Sequence, residues 1–135
     1  MQKSKILNFI NKNKYKILFV VWLSIIFTLS SIPNLKSNIP GVSDLVLRKI
    51  AHFVEYFILM FLCIKSFCKE IKINYRLILC FIFCSLYALS DEMHQFFVPT
   101  RHFALFDFGI DNLGLISSIL FLFIYNKVTI KKLEK

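Results

Sequence analysis

The sequence is missing the short signatures of several large enzyme classes. It holds no His-Glu-x-x-His, no Gly-x-Ser-x-Gly and no glycine-rich phosphate loop. The corresponding zinc-peptidase, serine-hydrolase and nucleotide-binding layouts are therefore excluded. There is no Cys-x-x-Cys pair either. The cysteines are Cys63, Cys68, Cys80 and Cys84, and none falls in a segment expected to face outward. Neither a disulfide framework nor a thiolate metal site follows from that arrangement, and these residues read as small packing groups. Glycine and proline number three each, against sixteen phenylalanines and 57% hydrophobic residues, a balance foreign to small soluble domains. No internal inverted repeat supports a pump.

What is present is a set of long apolar runs from which charge is kept out, the pattern of a membrane protein. One domain covering residues 1–135 is expected. Charged and polar breaks leave four candidate spans, at about 15–32, 50–68, 75–97 and 104–125. At about 1.5 Å of rise per residue, roughly 20 residues cross the hydrocarbon core. The strictly apolar stretch Leu77–Leu89 is too short for that, so its helix is expected to continue through Asp91, Glu92 and Gln95 toward Phe97. The first span follows a basic leader, as a secretory signal would. However, its apolar run is long, and Ser30-Ser31-Ile32-Pro33 makes a poor cleavage site, so retention is expected.

The net charge of +9 would suggest nucleic acid in a soluble chain. Here the location of the positive charges accounts for it, and no nucleic-acid partner is expected. Lys3, Lys5, Lys12, Lys14 and Lys16 precede the first span. Lys65, Lys69, Lys72 and Arg76 lie between the second and third, and Lys127, Lys131, Lys132 and Lys135 follow the fourth. Only Lys36, Arg48, Lys49 and Arg101 fall on the other side. The positive-inside rule then puts both termini in the cytoplasm. The expected class is an all-α, polytopic bundle of four transmembrane helices in the cell membrane.

Three polar patches fall at the outward ends of these spans. On the second, Lys49, His52 and Tyr56 follow i, i+3, i+7 spacing and share one helical face, with Glu55 a diagonal neighbour. On the third, Glu92 and Gln95 form one edge and Asp91 and His94 another; spacing does not select which edge faces inward. Pro99 ends that helix, and Arg101 stands at the turn with a guanidinium fork suited to phosphate or carboxylate. On the fourth, Asp107, Asp111 and Gly114 line one face, and Gly114 permits close approach of another helix. Ionisable groups inside a membrane cost a few kcal/mol or more when they face lipid, so they are expected to converge in one polar pocket near the outer surface.

Together these residues resemble the VanZ-like family. Its pattern is similar to Lys49, His52 and Tyr56, then Glu92 and Gln95, then Pro99 and Arg101, then Asp107, Asp111 and Gly114. The resemblance spans Ile50 to Leu115. Thr100 stands where the family usually has glycine, Arg48 where aspartate is common, and Ser118 where a second small glycine often follows. The resemblance implies a membrane fold and a link to low-level teicoplanin resistance. It leaves the ligand open.

Three functional readings follow. In the first, Lys49, Tyr56, Gln95 and Arg101 bind an anionic envelope molecule such as a lipid-linked phosphate or a phospholipid head group. His52, Glu92 and Asp111 orient its polar parts, and Phe53, Phe57, Phe96 and Phe97 meet its chain. In the second, an enzyme acts on the same lipids. His52 is its base and Glu92, Asp107 and Asp111 its further catalytic carboxylates; a divalent-ion variant would use those three as oxygen ligands. In the third, the charges only lock the bundle of a structural partner protein. No metal site and no cofactor is assigned from sequence, and it does not decide between monomer and homo-oligomer.

Overall fold

The computed structural model describes residues 2–33, 43–67, 72–101 and 104–133, with side chains between 10 and 126 of those segments. Cys68, Lys36, Lys69 and Lys135, and the side chains of Lys3, Lys5, Lys127, Lys131 and Lys132, lie outside what is described. Within it the chain is all-helical: α1 (Gln2–Ser30), α2 (Asp44–Ser66), α3 (Ile73–Phe96) and α4 (Leu105–Leu133). α1 meets neither glycine nor proline before Pro33, so nothing in its backbone ends it at the charged leader. α2 opens on Ser43 in an extended conformation with Asp44 in its first turn, where a carboxylate complements the helix dipole. α3 runs through Asp91, Glu92 and Gln95, and the turn at Pro99 follows.

Three segments are long and apolar enough to cross a membrane: Ile10–Ser30, Ile73–Phe96 and Leu105–Asn126. α2 has 23 residues but carries Asp44, Arg48, Lys49, Glu55 and Lys65, too many charges for the same criterion. None of the five is buried: Asp44, Arg48 and Lys65 are exposed toward its two ends, and Lys49 and Glu55 are half-buried. α2 touches each of the other three helices and packs most extensively on α4, whereas α1 touches α2 and α3.

The core follows from this placement. His52, Tyr56, Leu59, Met60 and Cys63 form the inward stripe of α2, at i, i+4, i+7, i+8 and i+11. Phe19 and Ile26 from α1, Cys80, Cys84 and Ala88 from α3, and Leu115 and Leu122 from α4 close around it. Cys63, Cys80 and Cys84 are buried and unbridged. The outer faces are apolar, with Val20, Ile78, Leu79, Leu86, Phe121 and Phe123 exposed. Apolar outer faces fit a lipid solvent, and the buried charged residues gather at one end of an otherwise apolar core.

In lipid, helices are held by tight packing and by interhelical hydrogen bonds. Trp22 Nε1 donates to the Glu55 carbonyl at 2.9 Å, joining α1 to α2. The Tyr87 hydroxyl donates to the Leu23 carbonyl at 2.8 Å, joining α3 to α1. Ser66 Oγ donates to the Tyr15 carbonyl at 2.8 Å, and Ser85 Oγ to Asn112 Oδ1 at 2.8 Å.

The turn after α3 contains Thr100 at φ 71°, in the left-handed region. For a β-branched residue this conformation is strained, by about 1–2 kcal/mol. Glycine takes it freely, though it loses about 0.4–1 kcal/mol more chain entropy on folding. Thr100→Gly is therefore expected to raise the thermal unfolding midpoint in detergent, while Thr100→Ala, which keeps the Cβ, is not. A lower midpoint for the glycine variant would show that contacts of the threonine side chain outweigh the strain.

Candidate functional site

The carboxyl ends of α1 and α3 and the amino ends of α2 and α4 meet at one end of the bundle, where most of the chain's eight acidic residues gather. A cavity of about 460 Å³ opens there. Leu29 and Ser30 of α1, Arg48, His52 and Glu55 of α2, Asp91 and Gln95 of α3, and Thr100 and Arg101 of the turn are among its lining residues. Gln95 Nε2 donates to Asp91 Oδ2 at 2.9 Å, an i, i+4 pair that orients both side chains. Ser30 is buried with no hydrogen-bond partner for its hydroxyl among the described residues.

Arg101 has a second task. Its Nη2 donates to the Leu29 carbonyl at 3.0 Å and its Nε to the Ile32 carbonyl at 3.2 Å. These are carbonyls at the end of α1, where a cation also complements the helix dipole. Burial, with Arg48 nearby, draws the Arg101 pKa below its ordinary value. Arg48 lies at 3.5 Å from Asp107 Oδ2, with a half-exposed side chain against a buried carboxylate. So exposed a partner adds little stability.

A second group shares His52 with the cavity wall. His52 Nδ1 and Asp111 Oδ1 are 3.0 Å apart, both side chains buried. With Asp111 ionised and the imidazole neutral, Nδ1 donates the shared proton and the lone pair is left on Nε2. Each of His52, Glu92 and Asp107 offers one ligand atom within 4.8 Å of the others, and all three residues are buried. Glu92 Oε2 accepts the Ala104 backbone N–H at 3.1 Å, which caps the start of α4 from α3 and fixes that carboxylate. Its other oxygen, Oε1, and Asp111 Oδ2 are buried without a hydrogen-bond partner among the described residues; so is the Tyr56 hydroxyl. Gly114 explains how α4 comes this close to α2. A Cβ there would run into the Phe53 carbonyl oxygen and sit 3.1 Å from the Phe57 nitrogen.

The structure thus brings His52, Glu92, Asp107 and Asp111 together and sets Gln95 and Arg101 in the adjoining cavity. Tyr56 is fully buried beside them on the α2 stripe. Lys49 goes elsewhere: its ammonium lies 4.1 Å from the centre of the Phe106 ring, and Arg48 takes the cavity position. The two edges expected along α3 are divided differently. Asp91 joins Gln95 in the cavity wall, and Glu92 turns to α4. His94 meets α1, with Nε2 3.0 Å from Ser31 Oγ and its ring stacked on Phe27 at 4.8 Å. The i, i+4 contact beats the i, i+3 one here because it lets the short Asp91 side chain reach the amide. Phe96 and Phe97 are exposed at the end of α3, while Phe53 and Phe57 are half-buried and stacked. Arg48 is the site residue that sequence reading passed over, whereas Asp91 stood on one of the two edges between which spacing did not select. Two neighbouring basic residues, Arg48 and Lys49, were the only hint that one of them points inward.

A family model described as VanZ/LLP1 matches residues 2–126. No curated protein and no solved structure matches the chain.

Proposed function

The chain belongs to the VanZ/LLP1 family, and from that premise we propose that its cavity holds the phosphate-bearing head group of a cell-envelope lipid. The observation that carries this reading is the cavity itself. It is large enough for a head group, has Arg48 and Arg101 among its lining residues, and adjoins helices whose outer faces are apolar. A lipid enters such a site sideways from its own leaflet, its chains against the exposed Phe96 and Phe97, whereas a soluble glycopeptide reaches only the mouth. Guanidinium groups suit phosphate through their paired donors.

In this reading α2 is a fourth crossing helix, antiparallel to α1 and α3 and shielded by them. Both termini face the cytoplasm, and the cavity opens outward in the cell membrane. The lysine distribution supports that orientation. Handling a lipid-linked cell-wall intermediate would connect the chain to glycopeptide tolerance, the association carried by the family name. The catalytic alternative, with His52 as base on the same lipids, draws support from Nε2, the ring nitrogen that Asp111 does not engage.

Native mass spectrometry of gently purified protein tests the binding reading. A stoichiometric phosphate-bearing lipid is expected on the wild type. Removing a charged hydrogen bond costs about 1.5–3 kcal/mol, so Arg48→Ala is expected to weaken retention about tenfold or more. Arg48 is the better probe, because Arg101→Ala also strips the end of α1. Lipid that is non-stoichiometric and insensitive to Arg48→Ala would refute the proposal.

A further inference from the structure

We infer that His52, Glu92 and Asp107 form a binding site for a divalent first-row metal ion, with Asp111 as the group that orients His52. The inference does not depend on the lipid reading. It starts from the donor set: one imidazole and two carboxylates, drawn from three different helices, with ligand atoms within 4.8 Å of one another. Mixed nitrogen and oxygen donors suit zinc or manganese better than magnesium or calcium, which prefer all-oxygen sites. A reactive zinc site has three protein ligands, where a closed structural one has four, and His52, Glu92 and Asp107 supply three.

Three further observations point to the ion. Glu92 is fully buried, and its Oε1 has no hydrogen-bond partner among the described residues although its Oε2 is held by the Ala104 N–H. A buried carboxylate oxygen without a donor is rare and calls for a water or a cation. His52 Nδ1 is engaged by Asp111, which leaves Nε2 as the nitrogen that the neutral imidazole offers to an ion. A carboxylate on the far nitrogen is what metal-binding histidines ordinarily have. Finally, the charges at this end of the bundle do not balance. Asp44, Glu55, Asp91, Glu92, Asp107 and Asp111 face Arg48 and Arg101 as the fixed cations among the described cavity and cluster residues. Four of these carboxyls, Asp91, Glu92, Asp107 and Asp111, are buried, and a buried cluster of this kind is neutralised by protons or by a doubly charged ion.

The same ion explains an awkward feature of the cavity. An anionic head group would meet Glu55 and Asp91 as well as the two arginines. A cation on His52, which also belongs to the cavity wall, shifts that field toward binding an anion.

The test uses full-length protein in mild detergent, stripped with a chelator and titrated with Zn²⁺ or Mn²⁺ alone. Stoichiometric binding and a rise in thermal midpoint are expected for the wild type. Glu92→Gln and Asp107→Asn are expected to abolish both. Asp111→Asn is expected to weaken affinity about ten- to hundredfold, the usual effect of losing such an orienting partner. Asp91→Asn and Lys49→Ala should retain the site. Should the ligand variants fail to fold, pulsed electron paramagnetic resonance of Mn²⁺ on the His94→Gln, His102→Gln chain supplies the second readout. A directly bound imidazole nitrogen is expected, because His52 is the histidine left. Absence of that coupling overturns the inference. So does a wild type that takes up neither metal, or uptake unaffected by Glu92→Gln and Asp107→Asn.

Discussion

Gly114→Ala is expected to destabilise the protein by about 1–3 kcal/mol or more, while Gly109→Ala is neutral or stabilising by up to about 1 kcal/mol. Both glycines lie on α4, five residues apart, so intrinsic helix propensity favours alanine equally at each. Their surroundings differ. A Cβ on Gly109 meets nothing within 4 Å, whereas one on Gly114 runs into the Phe53 carbonyl oxygen and sits 3.1 Å from the Phe57 nitrogen. These are backbone atoms of α2, which no rotamer change can move aside. Relief requires α4 to back away from α2. Phe53 is the neighbour of His52, and Asp111 lies one turn before Gly114, so the same displacement stretches the 3.0 Å His52–Asp111 contact. Gly114 therefore controls the polar site as well as the packing. Chemical or thermal unfolding of both variants in one detergent checks the prediction. Equal effects at the two positions would show that α2 and α4 are not in close contact there.

The helical class and the general position of the polar groups were legible because both rest on local rules. Charge was kept out of long apolar runs, and i, i+3, i+4 and i+7 spacing put His52 with Tyr56, and Asp107 with Asp111 and Gly114. The choice of partner between helices was not legible, because it depends on rotations of about 100° per residue that spacing alone does not fix. Arg48 and Lys49 are adjacent and chemically alike, yet one reaches Asp107 and the cavity while the other lies on the Phe106 ring. Asp91 and Glu92 are likewise adjacent and diverge, the first to Gln95 and the second to the start of α4. α2 was hard to read for a related reason. Its charges interrupt the apolar pattern that marks the other three helices, and only the tertiary arrangement shows it packed against all three of them. Threonine itself gives no sign of the left-handed turn at Thr100; the glycine usual at this place in the resembled family does.

The His52–Asp111 pair gives the second large effect and separates a working site from a bundle lock. Both side chains are buried and linked at 3.0 Å. Removing one member of such a pair leaves its partner buried and unsatisfied, so Asp111→Leu alone is expected to cost about 3–5 kcal/mol. Replacing both, as in Asp111→Leu with His52→Phe, removes the uncompensated group and restores apolar contacts. Such replacements are often neutral or stabilising, so the double variant is expected to recover most of the loss. A double-mutant cycle on unfolding free energies measures the recovery as a coupling term. If these charges served only to hold the helices, the recovered variant would carry out everything the wild type does, because its bundle would be intact. A protein that regains its stability but no longer takes up Zn²⁺ or Mn²⁺, or no longer retains a phosphate-bearing lipid, places the pair in the site's chemistry. A double variant as unstable as Asp111→Leu would instead mean that other contacts of Asp111 or His52 dominate, and the pair would lose its claim to organise this end of the bundle.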